Sequence, residues 1–135
     1  MLHVPITPAI ARLQLPPLKP SAYLKLRRVA AGLSIADVAR IIAPDNADRR
    51  EAVALVALLE AGGSVARKPQ TLRTLQRAFR FDAAVYRQLA EAPVDRHPTV
   101  CRTCGCSEWD PCQDGDGRCG WASPTACTRC AERLS

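Results

Sequence analysis

The chain has 135 residues, 47% of them hydrophobic but only 4% aromatic, and a formal net charge of +6. That length holds one small domain with an appendage, and a core so short of aromatics has to be built from Ala, Leu, Val and Ile, which favours helices. No uninterrupted apolar run approaches the ~20 residues that span a bilayer, so no membrane partner is expected.

The positive surplus is uneven. Residues 1–95 carry 14 Lys/Arg against 8 Asp/Glu, whereas residues 96–135 are balanced at 5 against 5. The field of the N-terminal part suits phosphate or another acidic surface, although a solvated surface tuned for solubility has the same charge.

Residues 1–20 are a proline-rich arm, with Pro5, Pro8, Pro16, Pro17 and Pro20. Prolines on both sides limit Ala9 to Leu15 to a single turn of helix. There is no basic start leading into an apolar core and no small-residue cleavage site, so no secretory leader is read here and the cytoplasm is the expected compartment.

A helical domain is expected over residues 21–92. Its first helix runs from Ser21 as cap to Ala31, with Tyr23, Leu24, Leu26 and Ala30 as the apolar stripe and Lys25, Arg27 and Arg28 outward. Gly32 stops it. Ser34 caps the second helix, Asp37 three positions on completes a capping box, and Leu33 with Val38 forms a hydrophobic staple. Ile35, Val38, Ala39 and Ile42 are its buried face.

The third helix is expected from about Asp48 to Ala61, where Gly62-Gly63 closes it. Ala52, Leu55, Val56 and Leu59 share a face that Val53 and Leu58 widen. A loop through Arg67 and Lys68 leads to a fourth helix, 70–80, with Leu72, Leu75 and Phe79 inward and Arg73, Arg77 and Arg80 outward. Asp82 caps a fifth, through Val85, Tyr86 and Leu89. The linker 93–98 holds two prolines and reads as a short extended spacer, reaching roughly 19 Å at about 3.1 Å per residue. A seam between the fifth helix (Tyr86/Leu89) and Trp109 or Trp121 is therefore expected.

All seven cysteines fall in residues 99–135. Cys101/Cys104 and Cys127/Cys130 are Cys-x-x-Cys pairs, whose two-residue spacer lets two thiolates of one turn point at a single ion. Two such turns complete a tetrahedron, so these four are the candidate ligands of one Zn²⁺ in a ribbon or treble-clef-like module. Gly105 fits a knuckle that needs a positive φ. The apolar residues nearby (Val100, Trp109, Trp121, Leu134) are too few for an independent core, so the metal supplies folding energy.

Cys106, Cys112 and Cys119 are surplus to that site. Three readings stand for them: a second metal site completed by a carboxylate or His97, small buried hydrophobes, or membership of an iron–sulfur cluster. A disulfide scaffold needs an oxidising compartment and leaves one of seven thiols over. The stretch Asp114-Gly-Asp116-Gly lacks the spaced acids and terminal Glu of a calcium loop and reads as a turn.

The helical segment resembles the Cro/CI-like (XRE-type) helix-turn-helix family over about residues 22–90. The resemblance rests on LKLRRVAAGLSIADVARII (24–42), similar to that family's first two helices. LLEAGG (58–63) resembles the end of its recognition helix, and RKPQTLRTLQRAFRFDAAVYRQL (67–89) its fourth and fifth helices. It implies a mainly α fold, a five-helix helix-turn-helix bundle, to which the cysteine spacing adds a small metal-binding module. It also implies a bacterial or phage transcription regulator that binds double-stranded DNA, commonly as a homodimer.

The sequence departs from the family in the middle. The connection after the second helix reads longer, and Val53 to Ala57 offer few groups that hydrogen-bond a base edge. Base reading would then fall to Arg49 and Arg50 at the third helix's start, with Arg67, Lys68 and Arg73 on phosphate. The other function class is a protein–protein adaptor that uses the third helix or the cysteine module. The cysteine segment is also similar to Cys-rich tails of uncharacterised bacterial and prophage proteins. No acid/base constellation is present, so no catalytic residue is assigned and no enzyme is expected.

Overall fold

A computed structural model describes residues 16–112 and 117–134. The arm up to residue 15, with the turn placed at Ala9 to Leu15, and the turn at Asp114–Asp116 lie outside the described residues.

Among the described residues five helices precede the cysteines: α1 Pro20–Ala30, α2 Ile35–Ile42, α3 Asn46–Glu60, α4 Pro69–Gln76 and α5 Ala83–Glu91. A 3₁₀ turn at Val94–Arg96 follows, then strands β1 Trp121–Ser123 and β2 Ala126–Cys127 in an antiparallel pair, and α6 Thr128–Leu134. The protein is mainly helical, with one small sheet beside the cysteines.

The helices assemble by their apolar stripes. Tyr23 and Leu24 of α1, Val38 of α2, Val56 and Leu59 of α3, Leu72 and Leu75 of α4, and Val85, Tyr86 and Leu89 of α5 form one buried core. Phe79 and Phe81 close it below α4, their rings 5.5 Å apart. Leu18 enters the same core from the chain ahead of α1, and Val100 enters it from the cysteine side.

Several start and stop signals act as read. Ser34 Oγ accepts from Asp37 N (3.0 Å) and Asp37 Oδ2 accepts from Ser34 N (2.8 Å), the reciprocal capping box. These bonds, led by the Ser34 backbone N–H, hold the Asp37 carboxyl below its ordinary value. Asp82 Oδ1 accepts from Ala84 N and Val85 N at the start of α5. Gly32 sits at φ 76° past the end of α1, where Gly32 N reaches Val29 O (2.9 Å) and Leu33 N reaches Arg28 O (3.3 Å), a Schellman closure.

Four expectations are corrected. α1 starts one residue earlier than Ser21: Lys19 takes the cap position, Pro20 sits in the first turn, and Ser21 is buried inside the helix. Proline at that place loses no helix bond, because its missing N–H has no partner there anyway. α3 likewise begins at Asn46, so only Ala43–Asp45 separates it from α2 and the extra length goes into the helix. Val53 and Leu58 do not widen the buried face; they are 37% and 54% exposed.

The fourth correction is Arg28, which is buried rather than outward. Its Nε and Nη2 make a bidentate pair with Glu60 (2.7 and 2.8 Å), and its Nη1 donates to Leu33 O at 2.8 Å. The Glu60 carboxylate holds the guanidinium above its ordinary value. Two donors in fork geometry match a carboxylate, so this pair fixes the angle between α1 and the end of α3.

Removing one member of a buried pair strands the other's charge. Glu60→Ala is expected to cost about 3 kcal/mol, whereas Ser34→Ala, at an exposed cap, costs about 1 kcal/mol. Urea denaturation of the two variants checks the ranking; equal losses would contradict it.

Candidate metal centre and its seat on the first helix

The chain enters the cysteine segment through a closed turn. Val94–Arg96 is 3₁₀ rather than extended, Gln88 Nε2 donates to Arg96 O (3.2 Å), and His97 Nε2 donates to Ala92 O at 2.8 Å. That bond fixes the His97 ring beside the linker, and His97 belongs to neither thiol group described below. Cys101 N then reaches Cys106 O (2.8 Å) and Gly105 N reaches Cys101 O (2.9 Å), so residues 101–106 fold back on themselves.

Gly105 makes this reversal possible. Its φ of 81° is in the left-handed region, which suits glycine, and a Cβ there would lie 2.7 Å from Arg27 Cδ and 3.1 Å from Leu26 Cβ. The turn brings the sulfur of Cys106 back toward those of Cys101 and Cys104. From the far side, β2 delivers Cys127 and the first turn of α6 delivers Cys130.

Two groups of four thiols result. The sulfurs of Cys101, Cys104, Cys106 and Cys127 all lie within 4.8 Å of one another, as do those of Cys106, Cys112, Cys119 and Cys127. Individual separations are 3.8 Å for Cys104–Cys112, 4.0 Å for Cys104–Cys127 and 3.8 Å for Cys106–Cys119. Metal–sulfur bonds of ~2.3 Å place the corners of a tetrahedron about 3.8 Å apart, so the clustered cysteines have the spacing to hold a metal ion. All seven are free of disulfides.

Of the four thiols read as one site, Cys101, Cys104 and Cys127 share a group, and Cys106 is its fourth member. Cys130 is buried beside them, its N–H donating to Cys127 Sγ at 3.5 Å, but it is in neither group. Cys106, Cys112 and Cys119 do come together, and the fourth thiol there is Cys127 rather than His97 or a carboxylate. The Cys-x-x-Cys spacing reports local pairs only; Cys106 is recruited by the Gly105 reversal, which the adjacent Gly-Cys hints at.

The electrostatics are those of crowded thiols. Donation from the Cys104 and Cys106 S–H groups holds Cys101 below the ordinary thiol value. Cys104 is pushed up to about 12, first by its bond to Cys101, and Cys106 rises for the same reason. Burial pushes Cys112 and Cys130 up to about 12. Neighbouring thiols cannot all ionise unaided, because like charges oppose one another, and a cation between them reverses that logic. Backbone N–H groups already point at the sulfurs: Thr103 to Cys101 (3.4 Å), Cys106 to Cys104 (3.4 Å) and Cys112 to Cys119 (3.3 Å).

The polar contacts of the segment run to α1 and to Arg80 in the α4–α5 loop, while Val100 joins the core beside Leu89 of α5. Arg27 Nη1 donates to Cys104 O (3.0 Å) and its Nε to Arg80 O (3.1 Å), while Arg80 pairs with Asp110. Arg102 Nη2 reaches Pro16 O at 2.8 Å. The expected pairing of Tyr86/Leu89 with Trp109 or Trp121 does not form: Tyr86 is fully buried with its hydroxyl accepting from Ala66 N at 2.9 Å, and Leu89 shares its cluster with Val100 instead. Trp109 stays 49% exposed, and Trp121 packs on the sulfurs instead.

The basic residues picked for nucleic acid have a looser arrangement. Arg50, Arg67, Lys68 and Arg73 are exposed. Arg49 is half-buried; its Nη2 donates to Pro44 O (2.7 Å), and its Nε is buried without a hydrogen-bond partner. No protein-family model, curated protein or solved structure matches the chain.

Because Arg27 carries the contact to Cys104, Arg27→Ala is expected to loosen the segment from α1 at a cost of roughly 1–3 kcal/mol. Amide relaxation by NMR reads this directly: one rotational correlation time for 20–91 and 100–112 in the wild type, and two in the variant. Two correlation times already in the wild type would contradict the seat.

Proposed function

We propose that the protein is a DNA-binding transcriptional regulator of bacterial or phage type, cytoplasmic, with its cysteine segment closed by zinc as a structural module. The observation that carries the reading is the three-residue turn Ala43–Asp45 between α2 and the 15-residue α3. A turn of this length joins the two helices of a helix-turn-helix, and it agrees with the resemblance drawn from residues 22–90. Arg50 then lies exposed in the first turns of the reading helix, where the helix dipole favours an anion. Arg49 is a poorer reader, since part of its guanidinium is bonded to Pro44 O. Arg67, Lys68 and Arg73 supply phosphate contacts before and along α4.

Zinc suits an all-thiolate set with no open position, which marks a structural rather than catalytic site. A cubane iron–sulfur cluster fits less well: its cysteines sit on four separate irons, which spreads them wider than the corners of one tetrahedral site, against the 3.8–4.0 Å separations here. Seven free thiols agree with a reducing compartment.

A second reading has its own support. Beyond Glu51, the exposed side of α3 is apolar, with Val53, Ala54, Ala57 and Leu58 facing out. That surface suits a protein partner or a second copy of the chain, and with it an adaptor built on the same scaffold.

Electrophoretic mobility shift at two salt concentrations separates the two. Phosphate-driven binding falls steeply with salt. Arg50→Ala is expected to cost about 1–3 kcal/mol on the preferred sequence and to erase preference, whereas Lys68→Ala weakens all duplexes alike. No shift on any duplex at low salt, or wild-type affinity in both variants, would leave the adaptor.

A further inference from the structure

The two thiol groups are not separate. Cys106 and Cys127 belong to both, so the groups meet along one shared edge. Four ligands to each of two ions, with none shared, would need more thiols than the seven the chain holds. The described carboxylates and His97 fall in neither group.

We propose that the cysteine segment holds a binuclear metal cluster, two divalent ions bridged by the thiolates of Cys106 and Cys127. Cys101 and Cys104 are the terminal ligands of one ion, and Cys112 and Cys119 those of the other. Cys130 is the one thiol left outside, buried against Cys127. The inference deepens the structural-zinc reading above and rests on it.

Edge-sharing tetrahedra set the terminal sulfurs of different ions more than about 5 Å apart, so the 3.8 Å contact between Cys104 Sγ and Cys112 Sγ has to open as both ions bind. Two further observations fit a bridged pair. First, six thiolates around two divalent ions remain anionic, and terminal sulfurs on both sides of the shared edge take backbone N–H bonds, Cys101 and Cys104 on one and Cys119 on the other. Such outer bonds orient ligands and offset their charge. Second, Cys127 and Cys106 are 0% and 1% exposed, while the terminal Cys104, Cys112 and Cys119 are only half-buried; the terminal Cys101 is buried as deeply as the bridges. Among the described residues Trp121 is the one non-cysteine hydrophobe packed on the sulfurs.

The test uses the full chain. Native mass spectrometry of protein purified with zinc should count two ions. After exchange to ¹¹³Cd, proton–cadmium correlation should give two cadmium resonances, with the β-protons of Cys106 and Cys127 correlating to both and those of the other ligands to one. Cys130→Ser should keep both ions. A single ion, two ions with no shared cysteine, or loss of an ion in Cys130→Ser would each overturn the bridged assignment while leaving a structural metal in place. No ion at all would overturn the metal reading itself.

Discussion

The sulfur cluster is the constraint on which the rest of the C-terminal segment depends. Residues 117–134 offer a three-residue strand, a two-residue strand and a short helix, and the cluster they help bury is one of cysteines with Trp121. Dispersion between a few sulfur atoms is small, and buried thiols that compete for protons do not make a rigid centre. Ligand bonds to a cation do, because their free energy is folding free energy in so small a unit. The Gly105 reversal, the N–H bonds to sulfur and the β2–α6 junction all serve to bring the thiols within ligand distance.

From there the constraint passes to α1. Fixing Cys104 fixes its carbonyl, the acceptor for Arg27, and the missing side chain at Gly105 lets Arg27 and Leu26 come close. One position further along, Arg28 is turned inward to Glu60 at the end of α3. Adjacent arginines on one helix thus hold opposite sides: one the cysteine segment, the other the helix with the exposed apolar face. Ordering the thiols and orienting α3 are therefore tied through a single helix, which gives the cysteine segment a structural reason to sit beside the helical bundle.

Much of the helical part was legible because its signals are local. The Ser34/Asp37 box, Gly32 and Asp82 each act within four residues, and the Val85/Tyr86/Leu89 stripe repeats at helical spacing; the fourth helix, expected to reach residue 80, ends at Gln76, so Phe79 enters the core from the turn after it. What escaped was set by distant partners. Arg28 reads as a surface residue because Glu60, 32 positions away, is what makes its burial tolerable. Arg27 reads as solvated because its acceptor is 77 positions away. Tyr86 looked available to a neighbouring module, but the Ala66 N–H occupies its hydroxyl. In the cluster, spacing revealed the two Cys-x-x-Cys turns, whereas the grouping of Cys106 with Cys127 depends on a left-handed glycine and on a strand pairing that spacing does not encode.

Amide hydrogen exchange at residue resolution, before and after removal of metal by a strong chelator, tests the central claim most directly. If cation–thiolate bonds hold the segment, the amides of Thr103, Cys106, Cys112 and Cys130, which donate to sulfur, are protected with metal and exchange freely without it. The core amides of α3, α4 and α5 keep their protection in both states. Unchanged protection of those four amides after complete metal removal would contradict the account.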